Sequence, residues 1–164
     1  MDEPIPGKSV SNSRISLSQL MQPEHSNMQE NVHGGWIMKL MDEAGALACM
    51  RHARSRVVTV AVDQMTFRQP IRVGDLVTIT AEVSYVGHTS MEAEVNVVAE
   101  NPITGGCTFT NTGYIVYVSL DDAGHPAAVP ALIPETESQR NRMQEGKVRQ
   151  AYRLSQAHRV EQKT

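Results

Sequence analysis

Between residues 34 and 52 the apolar side chains Ile37, Leu40, Met41, Ala44, Leu47 and Ala48 recur at intervals of three and four, the period of a helix with one buried face. Downstream the period changes to two. Val58, Val60 and Val62 alternate with other residues, as do Val77, Ile79, Ala81, Val83 and Tyr85, then Met91, Ala93, Val95 and Val97, then the stretch 114–120. The breaks carry turn residues: Gly74 in 70–75, Gly87 in 86–90, and Pro102, Gly105 and Gly106 in 101–106. One long helix followed by consecutive antiparallel strands predicts an α+β fold, with the helix on one face of a curled sheet. The polar alternates Glu92, Glu94 and Asn96 predict that the other face is solvated. Before the helix, the stretch 15–21 reads as an edge strand or part of an arm. After Pro126, Pro130 and Pro134 a polar helix is expected near 135–156.

A length of 164 residues suits one domain. We expect a flexible arm at 1–14, the α+β domain at 15–133 and a basic helix and tail at 134–164. No apolar run approaches the roughly 18 residues of a membrane span. Asp2, Glu3, Pro4 and Pro6 stand where a secretory signal needs basic residues and then an apolar stretch, so a cytoplasmic protein is expected. Cys49 and Cys107 are too few for a disulfide scaffold and should be reduced thiols. Neither has a second Cys at metal-ligand spacing, and no metal or cofactor is expected. The net charge is −3, but seven basic side chains against Glu145 and Glu161 make residues 140–164 +5 and leave −8 upstream. An acidic body argues against general nucleic-acid binding; the basic segment is either a solvated helix face or a holder of one small polyanion.

The helix carries the chemistry. It begins at His33, Gly34 and Gly35, where glycines let a ligand approach the backbone and unpaired N–H groups suit an anion or a developing oxyanion. The plainer alternative is a tight entry turn. Asp42 shares a flank with Met38, Gly45 and Cys49, so its carboxylate is expected to be partly desolvated, with a raised pKa, as a general base for water or as a nucleophile. Glu43 follows Lys39 by one turn and reads as an ordinary ion pair. Gly35 and Asp42 lie two turns apart, about 10 Å along the axis. One helix cannot bring both to one carbonyl, so a shared substrate requires a second subunit with an antiparallel helix and a site at a two-fold interface.

Asn27 with the run from His33 to Ala44, then Arg51 and His52, then Val58 to Asp63 with Phe67, Pro70, Ile71, Gly74 and Asp75, and finally Gly87 to Glu92, resemble the acyl-CoA thioesterases of the hotdog fold over about residues 15–155. The resemblance implies a long helix wrapped by a curved antiparallel sheet, and a homodimer that often assembles as a trimer of dimers. It implies hydrolysis of fatty acyl-CoA to a free acid and coenzyme A. The helix carboxylate of one subunit and an Asn before the helix of the other would flank the thioester; these roles fall on Asp42 and Asn27. Gly35, with Gly34 beside it, would polarise the acyl oxygen. The turn of Gly87, His88, Thr89, Ser90 and Met91 would lie along pantetheine and phosphates, and Arg51, Arg54 and Arg56 are further phosphate candidates. Relatives commonly carry Gly three residues after the Asn, where this chain has Glu30, which removes a flexible turn and adds a charge. Met38, Met41, Leu47, Met65 and Met91 either line an acyl tunnel or fill the core. Two other readings stay open: a hotdog hydratase or dehydratase using His33, against which Gly34 and Gly35 replace the usual Phe and Pro, and a non-catalytic acyl-CoA sensor.

Overall fold

Twenty residues, Gly34–Ala53, form the helix that the spacing predicts, α1. Around it the chain runs β1 (Lys8–Ser9), a 3-10 turn (Val10–Ser13), β2 (Ile15–Leu20), a second 3-10 turn (Pro23–His25), then α1, β3 (Arg56–Phe67), β4 (Leu76–Val86), β5 (Ser90–Glu100), β6 (Cys107–Leu120), β7 (Leu132–Ile133) and α2 (Glu137–Glu161). This is a computed structural model, and it describes residues 5–161. Residues 1–4 of the expected arm and 162–164 of the expected tail, Lys163 among them, lie outside the described residues, as do the side chains of 158–161.

Five strands form one antiparallel sheet in the order β2-β4-β5-β6-β3, and α1 touches all five. Laid flat, five strands would spread over about 19 Å, while a helix is about 10 Å across. Contact with every strand therefore requires the sheet to curl around α1. The helix buries Ile37, Leu40, Met41, Ala44, Ala48 and Cys49 against Val77, Ile79, Ala81 and Val83 of β4 and Met91, Ala93, Val95 and Val97 of β5. Each large apolar side chain so buried contributes about 1.5–3 kcal/mol. Leu47, expected on this face, is exposed instead. The stretch 15–21 resolves as an edge strand, β2.

The convex face departs from expectation. Glu82, Glu92 and Glu94 are buried, not solvated, because α2 lies across them. Arg142 reaches Glu82 at 2.5 Å and Glu94 at 3.1 Å; Arg149 forks onto both oxygens of Glu92 at 2.8 and 3.0 Å and stacks on the Tyr114 ring at 3.7 Å. Arg153 pairs with Asp63 of β3 and reaches Glu92 at 3.4 Å. Three cations of the basic tail are thus internal counter-ions, a role that sequence position could not reveal because the carboxylates lie about 50 residues upstream or more. At the other end, β1 pairs in parallel with β7, and Val10 and Ser13 are buried, so residues 8–13 of the expected arm are packed onto the body. No helix among the described residues is long and apolar enough to cross a membrane.

The Glu92 side chain is fully buried. Arg149→Ala leaves it with the Ser84 hydroxyl at 2.8 Å and Arg153 as its one remaining cation among the described residues, and losing one partner of a buried pair costs about 3–5 kcal/mol. Urea unfolding of Arg149→Ala should show that loss, and adding Glu92→Gln should recover part of it.

Candidate active site

Asp42 sits half-buried in the third turn of α1. Its Oδ1 accepts from the Thr59 hydroxyl at 2.8 Å and the Tyr117 hydroxyl at 3.1 Å, and Tyr117 also donates to the Asp42 carbonyl at 2.9 Å. Among the described residues no hydrogen bond reaches Oδ2. The carboxylate is therefore held through one oxygen while the other stays available. Tyr117 is fully buried; burial first, and then the negative charge of Asp42, push its pKa above the ordinary tyrosine value, so it remains a donor at any working pH. Tyr117 comes this close because residue 45 is glycine: a Cβ there would collide with the Tyr117 hydroxyl. Gly113, facing the Met41 methyl, opens room for the same helix on β6.

Asn27 occupies a turn just ahead of α1. Its Oδ1 accepts from the N–H groups of Gln29 at 2.9 Å and Asn31 at 3.2 Å, an Asx turn that closes the 27–31 loop. The loop holds Glu30 at φ 62°, the left-handed region that suits glycine. His25, buried and stacked on Trp36 at 4.2 Å, accepts at its backbone oxygen from the His33 N–H and so ties the loop to the helix entry. Asn27, Gly34, Ile37, Phe67 and Arg68 line a cavity of about 320 Å³ at the helix N-terminus. The Gly35 N–H, expected to face outward unpaired, donates to the His33 ring Nδ1 at 2.9 Å, so the His33 side chain caps α1.

Asn27 and Gly34 are thus brought together, and Asp42 is not with them: it is two turns further on, beside Thr59 and Tyr117. The turn at Gly87, His88, Thr89 and Ser90 is a hairpin end against α2, where Gln150 donates to the Ser90 hydroxyl at 3.3 Å and a Cβ on Gly87 would press on both. Met91, Met41 and Cys49 are fully buried in the core, whereas Met38 and Leu47 are exposed. Burial raises the Cys49 thiol well above its usual pKa; Cys107 is exposed, and both are free. Arg51 donates to the Arg14 carbonyl at 2.6 Å and Arg56 to the carbonyls of Asp121 and Asp122 at 2.9 Å. Arg54 takes a left-handed φ of 59° as the C-cap of α1 and borders a groove of about 740 Å³ at the far end of the helix, with Asp121 and Asp122 on its wall. No group of three or more His, Cys, Asp or Glu among the described residues is placed to hold a metal ion.

Thr59 and Tyr117 were not singled out from the sequence. Both sit at positions of their strands that face the helix, but strand alternation alone does not say which helix residue they meet.

A long central helix wrapped by a curled antiparallel sheet is the hotdog arrangement. The model for the thioesterase superfamily matches residues 29–106. The cytosolic acyl coenzyme A thioester hydrolase of Rattus norvegicus is 38% identical over 142 residues, which cover 85% of this chain and 37% of that protein. The chain therefore spans well under half the length of that relative. The acyl-CoA hydrolase of Staphylococcus aureus, solved with butyryl coenzyme A, coenzyme A and coenzyme A disulfide, is 30% identical with a TM-score of 0.88 and 96% coverage of both chains. A hexameric acyl-CoA thioesterase in its apo form is 33% identical, with a TM-score of 0.89 over 93% of this chain and 98% of its own. The chain belongs to the thioesterase superfamily. In the Staphylococcus aureus enzyme an Asn, an Asp and a Thr have each been replaced by Ala at positions 15 and 17 residues apart, the separations of Asn27, Asp42 and Thr59 here.

Gly45→Ala should destabilise the fold by about 1–3 kcal/mol, because the methyl and the Tyr117 hydroxyl cannot share the space. Chemical unfolding of the variant checks this.

Proposed function

We propose that the chain is an acyl-CoA thioester hydrolase that works as a homodimer, with each site built from Asp42 of one protomer and the Asn27 cavity of the other. The observation that carries this reading is the division of the site within one protomer: a carboxylate pinned by Thr59 and Tyr117, and, about 10 Å away along α1, an open helix start with Asn27 beside it. An antiparallel second copy brings the two halves together. β3 supplies the means, since it ends the sheet with one side of its backbone unpaired and exposes Val58, Val60 and Val62. Pairing β3 with its copy would make a ten-stranded sheet and lay the two α1 helices side by side. The hexameric relative supports further assembly as three such dimers. Residues 15–133 carry all of these groups, and the cytosolic relative supports a cytoplasmic location.

In this reading the thioester carbonyl lies against the first turn of α1, with its oxygen toward the Gly34 N–H, since the Gly35 N–H is held by the His33 ring. Asn27 has its Oδ1 committed to the turn, so its amide N–H groups orient the carbonyl or the water. Asp42 uses Oδ2: it removes a proton from water, whose oxygen then attacks the carbonyl carbon, or it attacks the carbon itself and water opens the resulting anhydride. Either way the C–S bond breaks, its electron pair leaves on the coenzyme A sulfur, which ends as the thiol, and the acyl group ends as the free acid. Thr59 and Tyr117 hold the carboxylate in line. His33, whose Nδ1 caps the helix, is not placed as the acid and base that a hydratase would need. For the coenzyme A phosphates, Arg54 is the strongest of the three arginines past the helix, because Arg51 and Arg56 are engaged by carbonyls; the Gly87–Ser90 turn remains a pantetheine contact.

Release of coenzyme A from acetyl-, hexanoyl- and palmitoyl-CoA tests the reading, with a detection method blind to the exposed Cys107. Asp42→Asn keeps the acceptor for both hydroxyls but removes the base, and kcat should fall about 100-fold or more with the oligomer intact. Thr59→Val should lower kcat about 10-fold, the worth of one hydrogen bond to a charged group. Near-wild-type turnover by Asp42→Asn would overturn the assignment.

A further inference from the structure

The Arg142, Arg149 and Arg153 contacts trace the path of α2 over the sheet. Arg142 sits over β4 and β5, through Glu82 and Glu94; Arg149 sits over β5 and β6, through Glu92 and Tyr114; Arg153 reaches Asp63 on β3. The helix thus crosses the convex face obliquely from the interior of the sheet to its β3 edge. It does not stop there. Residues 154–161 continue as helix, about 12 Å of rise along its oblique axis, more than one strand spacing beyond the edge. Among the described residues no hydrogen bond or ion pair ties this end back to the body.

A helix end that only meets water has no use for apolar side chains on its flanks, yet Val148 and Tyr152, one turn apart on one flank, are 70% and 66% exposed, and Leu154 on the other is 56% exposed. The strand edge that α2 overruns is the apolar one, where Val58, Val60 and Val62 are exposed. Val58, opposite Val118, shares the convex face with the helix, whereas Val62, opposite Ile115, faces α1, so the exposed Tyr152 and Leu154 reach the β3 edge beside Asp63 with no apolar partner on their own sheet among the described residues.

We infer that the end of α2, from Tyr152 to Glu161, docks on a second copy of this chain across the β3 edge, so that the two α2 helices strap the dimer from its convex face while the β3 strands join it edge to edge. The inference rests on the β3-paired dimer proposed above. In that dimer each helix end lies over its neighbour's sheet, with Tyr152 and Leu154 as the anchors. Arg153 gives each strap a fixed point on its own β3.

Sedimentation equilibrium of the full chain reads the dimer dissociation constant for wild type, Tyr152→Glu, Leu154→Glu and, on the strand, Val62→Glu. Both helix variants change exposed positions, and circular dichroism reports whether α2 survives. The inference expects at least a 10-fold weaker dimer for Tyr152→Glu and Leu154→Glu with helix content unchanged, and specific activity that falls on dilution in step with dimer content. Weakening by Val62→Glu but by neither helix variant overturns the strap and leaves the β3 dimer standing. Loss of a hexamer to intact dimers by the helix variants also overturns it, since it puts α2 between dimers. A dimer insensitive to Val62→Glu, or a monomeric wild type, removes the β3 reading and the strap with it.

Discussion

The Tyr117 hydroxyl meets the backbone and carboxylate of Asp42 because position 45 of the helix has no side chain. That contact couples the wrapping of the sheet to the placement of the Asp42 carboxylate. Tyr117 belongs to β6, the strand next to the edge; Thr59, on β3, belongs to the edge itself. If β6 stood one methyl further from α1, neither hydroxyl would hold Asp42 in line, and the curl that lets all five strands touch the helix would relax. The buried tyrosine stays protonated, so it acts as a fixed donor to Oδ1 of the carboxylate.

The convex face is built by a different force. Glu82, Glu92 and Glu94 stand where water would normally be and are instead neutralised by Arg142, Arg149 and Arg153. Such pairs add little net stability relative to apolar packing, because desolvation offsets most of the attraction. They do specify where α2 lies: each guanidinium meets a carboxylate on a different part of the sheet, so sliding the helix by a turn would leave buried charge unpaired. The reach of α2 to the β3 edge follows from that register.

Much of this was legible in the residues. The three-and-four spacing of α1 and the two-residue spacing of β3, β4, β5 and β6 report burial directly, and both survive into the fold. Asp42 was legible as a charge on an apolar flank, and Asn27 through the resemblance of its surroundings. Pairings between distant segments were not. Thr59 and Tyr117 look like ordinary strand residues until a sheet brings them to Asp42. The alternation at Glu92 and Glu94 was read correctly as a second face but wrongly as a wet one, since no local pattern says that a helix about 50 residues downstream returns with matching arginines. The His33 cap on the Gly35 N–H was likewise invisible, because it depends on a side-chain rotamer.

In the proposed dimer a working site takes Asp42 from one protomer and Asn27 from the other. Mixing two inactive variants, Asp42→Ala and Asn27→Ala, under conditions that exchange subunits tests it most directly. Half of the resulting dimers are mixed, and each mixed dimer has one site with both residues intact, so activity should rise to about one quarter of wild type. If each site lies within one protomer, every site in every dimer lacks one residue, and activity that stays at the level of the separate variants after proven exchange would contradict the account.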